Sequence, residues 1–142
     1  MRISHILRRK GRDVATIASH ETVRALVERL AEHRVGALVV TDDGRSVDGI
    51  VSERDVVRGL RVTGAALLEA PVASIMTSEV HTCEPSATVD ELMRLMTDRR
   101  FRHVPVVEAD ALVGIVSIGD VVKHRIDQLQ DERDQLVGYI SS

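Results

Sequence analysis

Apolar positions recur along the chain with two different periods. Val23, Leu26, Val27 and Leu30 stand at i, i+3, i+4 and i+7, as do Val89, Leu92, Met93 and Met96, so each set gathers on one face of an amphipathic helix. Thr22 and Thr88 occupy the helix N-cap positions, and Thr88-x-x-Glu91 has the spacing of a capping box. Residues 14–17 and 80–83 are short β-prone stretches ahead of these helices. Residues 35–40 and 101–107 are nearly continuous apolar runs, which suits strands covered on both faces. Asp42-Asp43-Gly44 and Glu108-Ala109-Asp110 read as hairpin turns into strands at 47–51 and 112–116, and a helix must then begin near Ser52 and again near Ser117.

This order of elements occurs twice because the sequence repeats. Gly49-Ile50-Val51-Ser52-Glu53-Arg54-Asp55-Val56-Val57 returns as Gly114-Ile115-Val116-Ser117-Ile118-Gly119-Asp120-Val121-Val122, identical at seven of nine positions. Upstream, Thr22-Val23, Leu26, Leu30 and Arg34 match Thr88-Val89, Leu92, Met96 and Arg100. The offset is 66 residues there and 65 at the glycine motif, so one residue has been gained or lost in the intervening turn. The predicted fold class is α/β (α+β): two tandem β-α-β-β-α units packed with pseudo-twofold symmetry, plus an extended C-terminal helix. The expected boundaries are 1–63 for the first unit, 64–71 for a linker, 72–125 for the second and 126–142 for the helical extension. The linker is too short and too apolar to separate independent domains, so one body is expected.

Composition narrows the chemistry. The chain has 142 residues, 44% of them hydrophobic, enough for a core without metal or disulfide support. Its only aromatic residues are Phe101 and Tyr139, so no stacking platform for single-stranded bases can be assembled. A formal charge of -3 removes the broad attraction that drives binding to nucleic acid. Cys83 is the single cysteine, which excludes an intrachain disulfide, and the histidines lack metal-ligand spacing. No apolar run is long enough to span a membrane or resembles a secretory signal, which makes the cytoplasm the expected location. Nucleophile-elbow, P-loop and dinucleotide-binding motifs are absent, so catalysis is not expected.

The two Gly-Ile-Val-Ser-x-x-Asp segments, together with Arg102-His103-Val104-Pro105-Val106-Val107, resemble the motifs of the cystathionine-β-synthase (CBS) domain pair, or Bateman module, over nearly the whole chain. The opening residues 6–14 are similar to the start of small stand-alone bacterial members. The resemblance implies up to two clefts between the repeats that take adenosine derivatives: AMP foremost, otherwise ADP, ATP, NAD(H) or S-adenosylmethionine. It implies that Asp55 and Asp120 meet ribose hydroxyls and that Ser52 and Ser117 lie beside ribose or phosphate. Adenine is then expected near Val14 and Thr16 or Val80 and Thr82, with Ala37, Val116, Ile118 and Gly119 among the lining residues. Each cleft is expected to join one repeat's Asp motif to the other's first strand. The first repeat has Gly36-Ala37-Leu38-Val39 where the second has Arg102-His103-Val104-Pro105, which implies fewer cations in its cleft. The family also implies a homodimer and an effector protein of unknown identity.

The chemistry of the motif supports two readings. A carboxylate only accepts hydrogen bonds, so an Asp at a strand-to-helix junction can take both hydroxyls of a ribose diol, and the helix N-terminus favours a phosphate. Arg54, Arg100, Arg102 and His103 are candidates to complete an anion site, and Lys10, in Lys10-Gly11-Arg12, either forms a solvated turn or reaches a second phosphate. Ser-x-x-Asp is equally a capping pair for the helix that follows, which leaves a ligand-free interaction scaffold as the alternative. Val122, Ile126, Leu129, Arg133, Leu136 and Ile140 alternate by four and three along the last helix, a heptad-like stripe that either dimerises or packs on its own domain.

Overall fold

The computed structural model describes residues 1–141; Ser142, the end of the expected helical extension, lies outside them. In the first repeat, β1 (Thr16–Ile17) pairs parallel with β2 (Ala37–Val40), which pairs antiparallel with β3 (Gly49–Ser52). The helices are α2 (Val23–His33) and α3 (Glu53–Thr63). The second repeat holds α4 (Val89–Arg99), the hairpin of β4 (His103–Glu108) and β5 (Ala111–Ser117), and α5 (Ile118–Ser141). Ahead of both repeats lies α1 (Ile3–Lys10), and two short 3-10 helices, Gly64–Glu69 and Val72–Ser74, join them.

The helix starts follow the expected caps. Thr22 Oγ1 accepts from the Ala25 N–H, and Thr88 with Glu91 closes the capping box. Ala109 and Asp110 both have positive φ, 51° and 61°, which matches the twist a two-residue hairpin needs.

The expected strand at 80–83 is cut to a single parallel bridge between Cys83 and Val106, and two prolines account for this. Cys83 donates to Pro105 O at 3.0 Å and accepts from Val107 N at 2.8 Å. Extending the ladder forward requires an N–H from Pro85, and extending it backward requires one from Pro105; neither has one. The first repeat has Val39 where the second has Pro105, and there the ladder spans Thr16 and Ile17.

Two cores form, and each takes in the other copy's leading segment. Ile3, Ile6 and Leu7 of α1 are buried with Val89, Leu92, Met96, Val104, Val106, Val116 and Val121 of the second repeat. Val72 is buried with Val23, Leu26, Leu38, Val51 and Leu67 of the first, with Ile75 and Met76 packed against them. Backbone bonds repeat the arrangement: Ile3 N donates to Ala87 O and Val89 N to Met1 O, while Val72 N donates to Glu21 O and Val23 N to Ala70 O. Residues 64–69 supply Leu67 to the first core and thus pack as part of that repeat. The repeated glycines of the two motifs sit under these crossings, Gly49 beneath Met76 and Thr77 and Gly114 beneath Leu7.

Candidate nucleotide site

Both Ser-x-x-Asp segments lie at strand-to-helix junctions. Ser52 is the N-cap of α3, its Oγ accepting from Asp55 N at 3.3 Å and its own N–H donating to Asp55 Oδ2 at 2.9 Å. Ser117 and Asp120 repeat the pair at 3.1 and 2.8 Å. The capping role is therefore real in both copies, and it uses only Oδ2. Among the described residues, Oδ1 of each Asp carries no hydrogen bond.

Asp55 opens onto a cleft of about 320 Å³ between the repeats. Seven residues expected at the site line it: Ala37, Ser52, Arg54, Asp55, Arg100, Arg102 and His103. Its volume lies at the lower end of the range of small-molecule pockets. The cations of residues 100–103 thus face the Asp motif of the other repeat. The arginine-poor stretch of the first repeat therefore leaves the Asp55 cleft rich in cations, contrary to the expectation that this cleft loses them. The His103 ring packs over the backbone at Gly36, where a Cβ would stand 3.6 Å from it, an ordinary contact. Burial, reinforced by the Lys10 ammonium, lowers the His103 pKa below its ordinary value while Asp120 pulls the other way, so the imidazole is largely neutral at pH 7.

Arg100 reaches the cleft from an unusual backbone position. It is the C-cap of α4 with φ 57°, a left-handed conformation that favours glycine. Arg34, its counterpart in the first repeat, ends α2 in the same conformation at φ 55° without lining this cleft, so the left-handed cap is a helix-end feature of both repeats.

Asp120 has a different neighbour. Lys10 Nζ, at the end of α1, lies 2.7 Å from Asp120 Oδ2 and 2.8 Å from Ile115 O. Burial opposes ionisation of Asp120, but the Lys10 ammonium and the Ser117 N–H outweigh it and hold the pKa below the usual carboxylate value. These two residues belong to a smaller hollow of about 140 Å³ between α1 and α5. Val116 is fully buried in the second core, whereas Ile118 and Gly119 are exposed on the first turn of α5. Val14, Thr16, Val80 and Thr82 do not line the Asp55 cleft.

The sequence reading missed Gly36, Ile50, Glu53, Thr77 and Phe101 in this lining. Thr77 arrives through the bridge it forms with Ile50, on the segment that packs across the first repeat. A signal for that crossing exists: Val72, Ile75 and Met76 match Ile3, Ile6 and Leu7 at a second offset of 69 residues.

The CBS domain family matches residues 3–62 and 72–127, and the chain belongs to it as a tandem pair. A solved CBS-domain protein from Agrobacterium tumefaciens is 47% identical, with a TM-score of 0.85 over 88% of this chain and 99% of that one. A CBS domain protein from Pyrobaculum aerophilum, solved in complex with AMP, is 30% identical with a TM-score of 0.74, covering 84% of this chain and 89% of that one. The mitochondrial CBS domain-containing protein CBSX3 of Arabidopsis thaliana is 36% identical over 97% of this chain and 71% of its own length. No helix among the described residues is long and apolar enough to cross a membrane.

Proposed function

We propose that the protein is a non-catalytic regulatory module that binds an adenine nucleotide, AMP foremost, between its repeats and signals through a homodimer. The observation that carries this reading is the Asp55 cleft itself: an aspartate with one free carboxylate oxygen stands in the same hollow as three guanidinium groups. The carboxylate suits a ribose diol, and Arg54, Arg100 and Arg102 suit a phosphate, since guanidinium pairs with phosphate in bidentate geometry. The same charge disfavours the sulfonium cation of S-adenosylmethionine and favours AMP, ADP, ATP or NAD(H). The Pyrobaculum relative supports the choice of AMP.

Calorimetric titration of AMP into the protein and its Asp55→Ala variant tests the assignment. Charge-assisted bonds to ribose contribute about 1.5–3 kcal/mol, so the variant is expected to bind roughly ten- to a hundredfold more weakly. Unchanged affinity removes Asp55 from the site.

A second reading, a ligand-free scaffold, is favoured by the complete capping pairs at Ser52 and Ser117. Ligand at about a hundred times its dissociation constant adds roughly 2.7 kcal/mol of stability, so absence of any thermal shift with adenosine derivatives supports the scaffold.

A further inference from the structure

We infer that Lys10 is an internal competitor for ribose, latching the Asp120 side of the pair while the Asp55 cleft stands open. The inference rests on the nucleotide reading above and concerns how that site is regulated. Asp55 and Asp120 share the same backbone capping bonds, so the difference at the carboxylates themselves comes from what else reaches each one. On Asp55 the second partner of Oδ2 is the Ser52 hydroxyl at 3.1 Å, a group free to rotate away. On Asp120 the second partner is the Lys10 ammonium. With the Ser117 N–H already bound, both lone-pair directions of Asp120 Oδ2 are filled, so the free Oδ1 can take one ribose hydroxyl but the second must displace the lysine to reach Oδ2.

The crossing of the leading segments creates this asymmetry. The segment laid across the first repeat brings Thr77 to the Asp55 cleft, whereas α1, laid across the second, brings a cation to Asp120. Ile3, Ile6 and Leu7 hold the body of α1 in the core, and Arg9 lies 3.3 Å from Asp127 on α5. Lys10 stands on the last turn with its side chain one-third exposed, so its stem can swing aside while α1 stays docked. The Asp55 cleft therefore loads first, and the Asp120 side takes a nucleoside only at higher concentration.

Adenosine is the discriminating probe, because it offers Lys10 no phosphate to bind. In the Asp55→Ala background, where the Asp120 side reports alone, Lys10→Met is expected to strengthen adenosine binding roughly fivefold, the worth of a partly exposed ion pair. A measurement without mutation at Lys10 runs beside it: raising the salt from about 0.05 M to about 0.5 M screens the pair and is expected to tighten adenosine binding in the same background. Adenosine affinity that fails to rise with Lys10→Met overturns the latch. So does a fall in AMP affinity with adenosine unchanged, which assigns Lys10 to phosphate instead. If neither AMP nor adenosine binds the unsubstituted protein, the nucleotide reading itself fails and takes the latch with it.

Discussion

Leu7 lies so close over Gly114 that a Cβ on the glycine would stand 2.6 Å from Leu7 Cδ2. Leu7 is itself fully buried in the second core, so yielding requires its neighbours to repack. Gly114→Ala is therefore expected to lower stability by about 1–3 kcal/mol, the range for overpacking a filled core. At Gly49 the added carbon would meet Thr77 O at 2.9 Å, the acceptor of the Ile50 N–H in a residue whose own N–H donates back to Ile50 O, so Gly49→Ala should be the more damaging change. Urea denaturation of both variants checks the order.

Under the proposed function, Arg100 exchanges stability for binding. Replacing it with glycine relieves the left-handed C-cap and is expected to raise stability by about 0.5–1 kcal/mol. Loss of the guanidinium should weaken AMP several-fold and leave adenosine unaffected. Thermal melts and paired titrations read the two effects separately, and a drop in both ligands alike argues against a phosphate role.

His124 is buried on α5, and neither ring nitrogen has a hydrogen-bond partner among the described residues. Burial lowers its pKa below the ordinary histidine value; Arg9, His5 and the N-terminus push the same way, and Asp127 opposes them. A histidine with a depressed folded-state pKa contributes stability that is fully present above its unfolded pKa and lost as pH falls from there through the lower folded pKa. Acidification from about pH 7.5 to about pH 5 should thus destabilise the protein through this group. His124→Leu is expected to flatten that dependence and, by removing unpaired buried nitrogens, to add about 1 kcal/mol at neutral pH. Urea midpoints across the pH range test it.

Val122, Ile126, Leu129, Leu136 and Ile140 are all at least half exposed on α5, while Val121 and His124 face the domain. The stripe is thus left uncovered by its own chain, as the proposed homodimer requires. Leu129→Glu combined with Leu136→Glu should convert the dimer to monomers in sedimentation, at unchanged helix content by circular dichroism. Each buried leucine is worth about 1.5–3 kcal/mol, counted on both copies.

Much of the fold was legible from local pattern. The amphipathic helices, their threonine caps and the repeated Ser-x-x-Asp junctions depend on residues within a few positions of each other, so periodicity and spacing suffice to place them. Seven of the expected site residues also gather around one cleft, because the repeat specifies which chain segments are equivalent. The shortened strand at Cys83 was hidden for a different reason: each proline removes a donor only once its partner strand and register are known.

The order of elements, the duplication and the capping chemistry were set by neighbours in sequence, where hydrogen-bond reach and helical period leave few alternatives. What faces each aspartate was decided by the crossing of α1 and residues 71–77 onto opposite repeats. That exchange depends on burying Ile3, Ile6, Leu7 and Val72 in cores formed by residues far away in sequence. Hydrophobic burial is non-directional and names no partner in advance, so only the packed structure puts a lysine against Asp120 and brings Arg100 and Arg102 to the cleft of Asp55.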